Sequence, residues 1–190
     1  MPKVKFGLSN VYIAPRTEEE EGEITYGTPV KVPGAVSASI EAESESSTFY
    51  ADNIAYYIAN SKTSKTIDLE VADIPRSILT GYLGYVEAEG GGILETSNPN
   101  TPHFALLFQV ETDEQARKFC YYNCTAVESD EEYNTTEDTT EPTTSTLSVT
   151  SAGDPLDDGN VSFKKVSEST DANYATFFTT VTAPQVKAGE

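Results

Sequence analysis

The feature that most restricts the fold of this chain is the alternation of apolar and polar residues in several separate segments. In the first, Val36, Ala38, Ile40 and Ala42 alternate with Ser37, Ser39, Glu41 and Glu43. In the second, Ile67, Leu69 and Val71 alternate with Asp68 and Glu70. Successive side chains of a β-strand point to opposite faces, so each segment is predicted to be a strand with one buried face and one wet face.

Other segments are predicted to be strands on similar grounds. Residues 103–111 place Phe104, Leu106, Phe108 and Val110 on one face, and residues 117–127 follow as an antiparallel partner. Further strands are predicted over 147–151, 161–166 and 174–182. Thr, Val, Tyr and Phe are abundant, and these branched and aromatic side chains favour pleated sheet.

A single helix is predicted, over residues 73–84. Asp73 offers a capping carboxylate, Pro75 suits the first turn and Gly84 provides a stop. Between them, Ile78, Leu79, Tyr82 and Leu83 recur at helical spacing. The predicted fold is therefore mainly β: an antiparallel β-sandwich or open barrel of about eight to ten strands, with one short flanking α-helix.

Residues 1–190 are predicted to form a single domain with four extensions. These are an N-terminal arm over 1–10, an extended hairpin over 44–66, an acidic mobile loop over 129–146 and a C-terminal arm over 183–190. The residue pairs Asp52-Asn53 and Asn60-Ser61 supply turn-forming side chains within the hairpin. The acidic loop has hardly an apolar residue with which to offset the entropy of ordering.

The formal net charge of −19 restricts the partners of the chain. A protein this acidic repels nucleic-acid phosphates and anionic lipid surfaces. Two interpretations stay open: the charge keeps the protein soluble, or it lets a surface lie close to DNA without binding it. The N-terminus has no secretory signal and no apolar stretch approaches 18 residues, so neither export nor a membrane span is expected.

Cys120 and Cys124 lie four residues apart in a predicted strand. Regular strand geometry would place them on the same face about 13 Å apart, too far for a disulfide bond. We therefore expect free thiols, which suit a protein folded in a reducing cytoplasm.

The sequence offers little for catalysis or metal binding. His103 is the sole histidine, and with two cysteines on one strand it makes a poor set of zinc ligands. No GxSxG, HExxH or phosphate-binding loop motif occurs, and Gly90-Gly91-Gly92 lacks the lysine of such a loop. Calcium is disfavoured because the oxygen-rich segment 129–138 lacks EF-hand spacing. We expect a protein that is not an enzyme and uses no cofactor or metal.

Three stretches carry a family resemblance: SIEAESES at 39–46, FYADNIAYY at 49–57 and IDLEVADIPRSILTGYLG at 67–84. With the later hairpin segments HFALLFQV and KFCYYNCTAV, the chain resembles the major tail (tail tube) proteins of long-tailed bacteriophages of Gram-positive hosts, the siphoviruses. The acidic, Thr-rich stretch 129–146 departs from that pattern.

The resemblance implies a structural subunit of the virion that assembles, in the host cytoplasm, into hexameric rings stacked as a hollow tube. DNA would pass through the bore during ejection without specific binding. The resemblance also implies tail tip, tail terminator and tape measure proteins as partners, and no membrane contact.

Two sets of residues are hypothesised to serve such a tube. The lumen-lining candidates are Glu41, Glu43, Asp68 and Glu70. The self-assembly candidates are Phe49, Tyr50, Tyr56 and Tyr57. An ordinary solvent-exposed face remains the alternative for the carboxylates. The alternative function is a surface carbohydrate-binding or adhesive β-sandwich module, since tyrosines can serve as stacking platforms, although Trp and an export signal are missing.

Overall fold

The computed structural model describes residues 5–19, 22–97, 99–112, 115–128 and 143–186. These residues form strands β1 (Lys5–Glu18), β2 (Ile24–Tyr26), β3 (Val30–Lys31), β4 (Ala35–Ala51) and β5 (Ile54–Val71), helix α1 (Arg76–Tyr82), then β6 (Val86–Glu87), β7 (Ile93–Leu94), β8 (Phe104–Thr112), β9 (Arg117–Glu128), β10 (Ser145–Ser151), β11 (Asp154–Pro155), β12 (Val161–Ser162) and β13 (Lys164–Ser167).

The strands form one large antiparallel sheet in the order β2-β1-β8-β9-β10-β5-β4, with β3 added to β1 and β13 added to β9. Two small hairpins, β6–β7 and β11–β12, stand apart from it. The sheet bends so that its β1–β8 half packs over its β5–β10 half, but it does not close into a barrel. The predicted fold, an antiparallel β-sandwich with one short helix, is confirmed.

The main core lies between the two halves of the bent sheet. Ile67, Leu69 and Val71 are fully buried, as their alternation predicts, and they face side chains such as Phe104 and Leu106 from β8. Each fully buried side chain of this size stabilises the fold by about 1.5–3 kcal/mol. A second, smaller cluster lies on the opposite face of β8 and β9.

Helix α1 is shorter than predicted and begins after Pro75, at Arg76. Pro75 is the N-cap, with extended φ and ψ angles of −60° and 141°, and no side chain caps the helix. The expected capping role of Asp73 is therefore wrong. Ile78 anchors the helix in the main core. At the other end Gly84 has a φ of +77°, and a Cβ there would lie 2.3 Å from a Pro99 carbon, so glycine is required.

The strand predicted over residues 174–182 is wrong. Residues 172–179 form turns instead, with the Thr179 and Thr180 amides donating to the Thr176 carbonyl at 2.9 and 3.1 Å. Phe177 and Val181, four residues apart, bury themselves in the second cluster. Aromatic and branched residues suggested a strand, but their i, i+4 spacing fits a helical turn docked on the sheet.

Strands β4 and β5 form a hairpin of 17 and 18 residues. Its turn is Asp52-Asn53, with φ angles of +51° and +62°, as two-residue hairpin loops favour. The predicted turn at Asn60-Ser61 is wrong, because both residues lie inside β5 and pair with β4. Only 65–71 of β5 also pair with β10, so the outer part of the hairpin extends beyond the body.

The prediction that Cys120 and Cys124 share a face is also wrong. Asn123 has a φ of +50°, and the β8–β9 register shifts there by one residue. This bulge places Cys120 in the second cluster and Cys124 in the main core, on opposite sides of the sheet. Both thiols are free, as expected.

The predicted extensions lie partly outside the described residues. Positions 1–4, 129–142 and 187–190 are not described, which includes most of the predicted acidic loop. Lys5 to Asn10 belong to β1, where Lys5 pairs with Thr112. Ser145 and Thr146 begin β10.

Candidate assembly surfaces

The four lumen-lining candidates lie on a single face of the sheet. In the β4–β5 register Ser37 pairs with Glu70, Ser39 with Asp68, Glu41 with Thr66 and Glu43 with Ser64. Because paired residues of neighbouring strands point to the same side, these eight side chains share the face opposite the core. We call this the carboxylate face.

Two of these carboxylates are held by hydroxyl groups. Asp68 accepts a hydrogen bond from Ser148 Oγ at 2.9 Å. Glu70 accepts one from Thr144 Oγ1 at 2.6 Å and one from Ser37 Oγ at 2.7 Å. The bonds from Thr144 and then Ser37 lower the pKa of Glu70, so its charge is retained at mildly acidic pH. Glu41 and Glu43 are exposed to solvent.

Sequence reasoning missed the contribution of β10 to the carboxylate face. Thr146, Ser148 and Thr150 pair with Glu70, Asp68 and Thr66. The alternation of polar and apolar residues in STLSVTS, residues 145–151, could have predicted this contribution. Leu147 and Val149 are buried in the core, so the polar residues between them face the other side. Across the paired parts of β4, β5 and β10, the described residues of this face include no lysine or arginine.

The four self-assembly candidates lie in the outer part of the hairpin. Phe49, Tyr50, Tyr56 and Tyr57 are 61–73% exposed, and Phe49 pairs directly with Tyr57. Sequence reasoning missed the exposed Ile54 and Ile58 beside them, which follow the same apolar run. A soluble monomer rarely leaves so many large apolar side chains of one element in water, so the outer hairpin has the character of a contact surface.

Strand β4 has a free edge. It pairs with β5 along its whole length, and no described strand pairs with its other side. An exposed edge of this length presents unpaired amide and carbonyl groups that readily accept another strand.

The residues considered for chemistry are dispersed. His103 is exposed, with its Nδ1 2.6 Å from Asn123 Oδ1. Burial raises the pKa of Cys120 and raises that of Cys124 to about 12, so both thiols stay protonated and unreactive at neutral pH. Within the described ranges, no group of three His, Cys, Asp or Glu side chains could hold a metal ion. No helix in the described part of the chain is long and apolar enough to span a membrane.

One buried polar cluster was not foreseen from the sequence. Asp154 is fully buried and accepts hydrogen bonds from Arg16 Nε at 2.9 Å and from the Tyr26 hydroxyl. Asn123 Nδ2 donates to the neighbouring Gly153 carbonyl at 2.8 Å. The side chains satisfy one another and bind β1, β2, β9 and β11 together, which is a structural role.

Comparison with known proteins identifies the family of the chain. A search of curated proteins finds no match. A family model described as phage tail tube protein matches residues 20–183. The resemblance to tail tube proteins is thereby confirmed. This chain belongs to the phage tail tube protein family, a structural family of the virion whose members assemble with copies of themselves into the tail tube.

Proposed function

We propose that this chain forms hexameric rings, stacked into the tail tube of a long-tailed phage of a Gram-positive host, with the carboxylate face lining the DNA channel. The observation that carries the proposal is the composition of that face. Glu41, Glu43, Asp68 and Glu70 lie together on it among serines and threonines, and the described residues of this face on β4, β5 and β10 include no lysine or arginine.

A wall of this composition suits a passage for DNA. Each lysine–phosphate contact would add a salt-dependent force that retains the genome. Carboxylates instead repel the phosphates of the DNA. This repulsion persists across a gap near the Debye length, which is about 10 Å at 0.1 M salt. The free edge of β4 supports sheet continuation from one subunit to the next around the ring, which would remove an aggregation-prone edge.

The exposed hairpin supports stacking between rings. Phe49, Tyr50, Tyr56 and Tyr57 would bury their apolar surface against the next ring, together with the terminal segments 1–10 and 183–190. The tail tip, tail terminator and tape measure proteins would contact the finished tube, and assembly would take place in the host cytoplasm. The role is structural and needs no catalysis or cofactor.

Charge reversal on the carboxylate face tests the channel. Changing Glu41, Glu43, Asp68 and Glu70 to Lys should leave tubes intact and slow DNA release roughly tenfold or more, because lysines would bind the passing phosphates. The measurement is the rate of DNA release from phages that carry the variant. A matched control changes four exposed carboxylates elsewhere, Glu19, Glu23, Asp157 and Glu168, to Lys. Release at the wild-type rate from the first variant would refute the channel assignment.

Electron microscopy of the concentrated protein distinguishes the tube from the alternative. Hollow rods of uniform width are expected of a tube subunit. The exposed tyrosines of the hairpin are the observation that favours a carbohydrate-binding module. A monomer that binds sugars in a titration and never forms rods would support that module instead.

A further inference from the structure

Three lysines lie together where the hairpin leaves the body. Lys65 of β5 pairs with Ser151 of β10, and Ser151 Oγ lies 3.3 Å from the carbonyl of Phe163, the residue before Lys164. Lys65 and Lys164 therefore flank the same position of β10. Both belong to the side of the sheet that faces the core, near its open end.

Lys62 joins this group because of an irregularity in β5. Lys65 pairs with Ala42, Ser64 with Glu43 and Lys62 with Ser44, so Thr63 is one extra residue of β5 between the paired positions. Ala42 and Ser44 are two apart on β4 and point to the same side, and Lys62 and Lys65 do so with them. We call Lys62, Lys65 and Lys164 the lysine cluster.

The lysine cluster is electrostatically unfavourable in the isolated chain. Burial and the nearby charges of Lys164 and Lys62 lower the pKa of Lys65. Among the described residues, none of the three lysines is in an ion pair. The chain holds 31 acidic residues and 12 basic ones, so carboxylates are plentiful. The absence of a described carboxylate partner at three neighbouring lysines therefore indicates that the partner belongs to another molecule.

The opposite end of the body carries the complementary charge. Asp73 precedes α1, Glu89 lies in the turn that connects β6 to β7, and Glu95 follows β7 directly. All three are exposed, and none is in an ion pair within the described part of the chain. Their neighbour Glu87 is already paired with Arg76 at 3.2 Å. We call Asp73, Glu89 and Glu95 the acidic end.

The two groups cannot meet within one copy. The lysine cluster lies at Lys65 of β5, and the acidic end follows Val71, six residues farther along the strand. At the rise of an antiparallel strand this is a separation of about 20 Å. Two copies placed head to tail along this strand direction would bring the groups together. A contact between different surfaces of identical subunits repeats without closing and so produces an open stack.

We propose that the lysine cluster of each copy binds the acidic end of the next copy along the tube axis. The proposal rests on the proposed stacking and names the surfaces that make it. The hairpin fits the arrangement: from Lys62 to Ile54 it extends about 27 Å past the contact, enough to lie along the flank of the neighbouring copy. The ionic contact would set the direction and register of stacking, and the apolar hairpin would supply buried area.

Charge exchange tests the contact in the full-length chain. Changing Lys62, Lys65 and Lys164 to Glu should raise the critical concentration for rod formation at least about tenfold, because like charges would then face each other. Changing Asp73, Glu89 and Glu95 to Lys should do the same. Combining both sets restores opposite charges and the wild-type net charge, so rods should form again near the wild-type concentration. Changing Lys31 to Glu reverses an exposed lysine outside both groups, controls for added negative charge and should have little effect.

A second measurement uses the wild-type rods. Carbodiimide joins amines and carboxylates in direct contact, and mass spectrometry should find Lys62, Lys65 or Lys164 joined to Asp73, Glu89 or Glu95. Dilute unassembled chain should lack these links.

The outcomes separate this inference from the proposed function. Rods formed by the lysine variant at the wild-type concentration, or a combined variant as impaired as its parents, would overturn the ionic contact and leave the tube standing. Failure of the wild-type chain to form rods at all would count against the tube, and the contact would fall with it.

Discussion

At the scale of single residues, the buried contact between Arg16 and Asp154 is a polar interaction that joins distant parts of the fold. The two residues are 138 positions apart, and their side chains are 9% and 0% exposed. Burial opposes the charge of Arg16, but hydrogen bonds to Asp154 and Glu18 outweigh it and raise its pKa, so the guanidinium stays charged. A buried ion pair is costly to break, because the remaining charge has no partner and no water.

We expect Arg16→Met to destabilise the chain by about 3–5 kcal/mol, since it leaves the Asp154 carboxylate buried without a counter-charge, which the hydrogen bond from the Tyr26 hydroxyl does not replace. Urea unfolding of the full-length protein measures the loss. Glu18 is the other partner of Arg16, and its side chain is 58% exposed. Glu18→Gln neutralises this carboxylate and should cost at most about 1 kcal/mol. A loss for Arg16→Met no larger than that of Glu18→Gln would show that the ion pair does not support the fold.

At the scale of elements, the β4–β5 hairpin separates into two parts. Its inner part pairs with β10 and contributes Ile67, Leu69 and Val71 to the main core. Its outer part pairs within itself, with no other described strand, and carries the exposed aromatic residues. The first part therefore supports stability, whereas the second is available for contacts between copies.

Deleting residues 48–60 should leave a soluble monomer that cannot form tubes. The melting temperature should change little, because none of the described side chains of the deleted segment belongs to either buried cluster. Electron microscopy and sedimentation measure assembly. Changing Phe49, Tyr50, Tyr56 and Tyr57 to Thr removes the apolar contacts at full hairpin length and should give the same result.

Asn53→Gly is the matched control for the hairpin, because glycine suits the positive φ of the turn and leaves every aromatic residue in place. It should assemble like the wild type. Tubes of normal yield from the deletion would remove the hairpin from the assembly contacts.

At the scale of the whole molecule, the buried thiols and phenols make stability sensitive to high pH. Burial raises the pKa of Tyr121 and Cys124 to about 12 and also raises those of Cys120, Tyr26 and Tyr122. The folded chain thus holds protons that the unfolded chain releases near pH 8.5 for thiols and near pH 10 for phenols. Stability should be complete below about pH 8.5 and fall above it, by up to about 1.4 kcal/mol per pH unit for each group.

Melting temperatures measured between pH 7 and 11 check this expectation. In a variant with Cys120→Ala and Cys124→Ala the decline should begin nearer pH 10, because only the phenols then contribute. A melting temperature independent of pH up to 11 would contradict the burial of these groups.

Much of the fold could be predicted from local pattern. The alternation at Ile67, Leu69 and Val71 identifies their buried face because the side-chain period of a strand depends on the backbone alone. The same reasoning placed Glu41, Glu43, Asp68 and Glu70 on the opposite face together. The turn at Asp52-Asn53 was predicted for a local reason too, since Asn and Asp tolerate positive φ.

Local sequence pattern gave wrong predictions where contacts with distant parts of the chain determine the local structure. Residues 174–182 have the composition of a strand, but docking of Phe177 and Val181 on the sheet favours turns. Cys120 and Cys124 would share a face in a regular strand, and the bulge at Asn123 separates them.

The sequence by itself determined most of the long strands, the buried face of Ile67, Leu69 and Val71, the overall acidity and the family, because each follows from the order and kind of neighbouring residues. The tertiary structure alone decided which distant groups meet, including the pairing of Arg16 with Asp154 and the gathering of Lys62, Lys65 and Lys164. The physical reason is that strand register and the bend of the sheet set those distances, and both depend on packing over the whole chain.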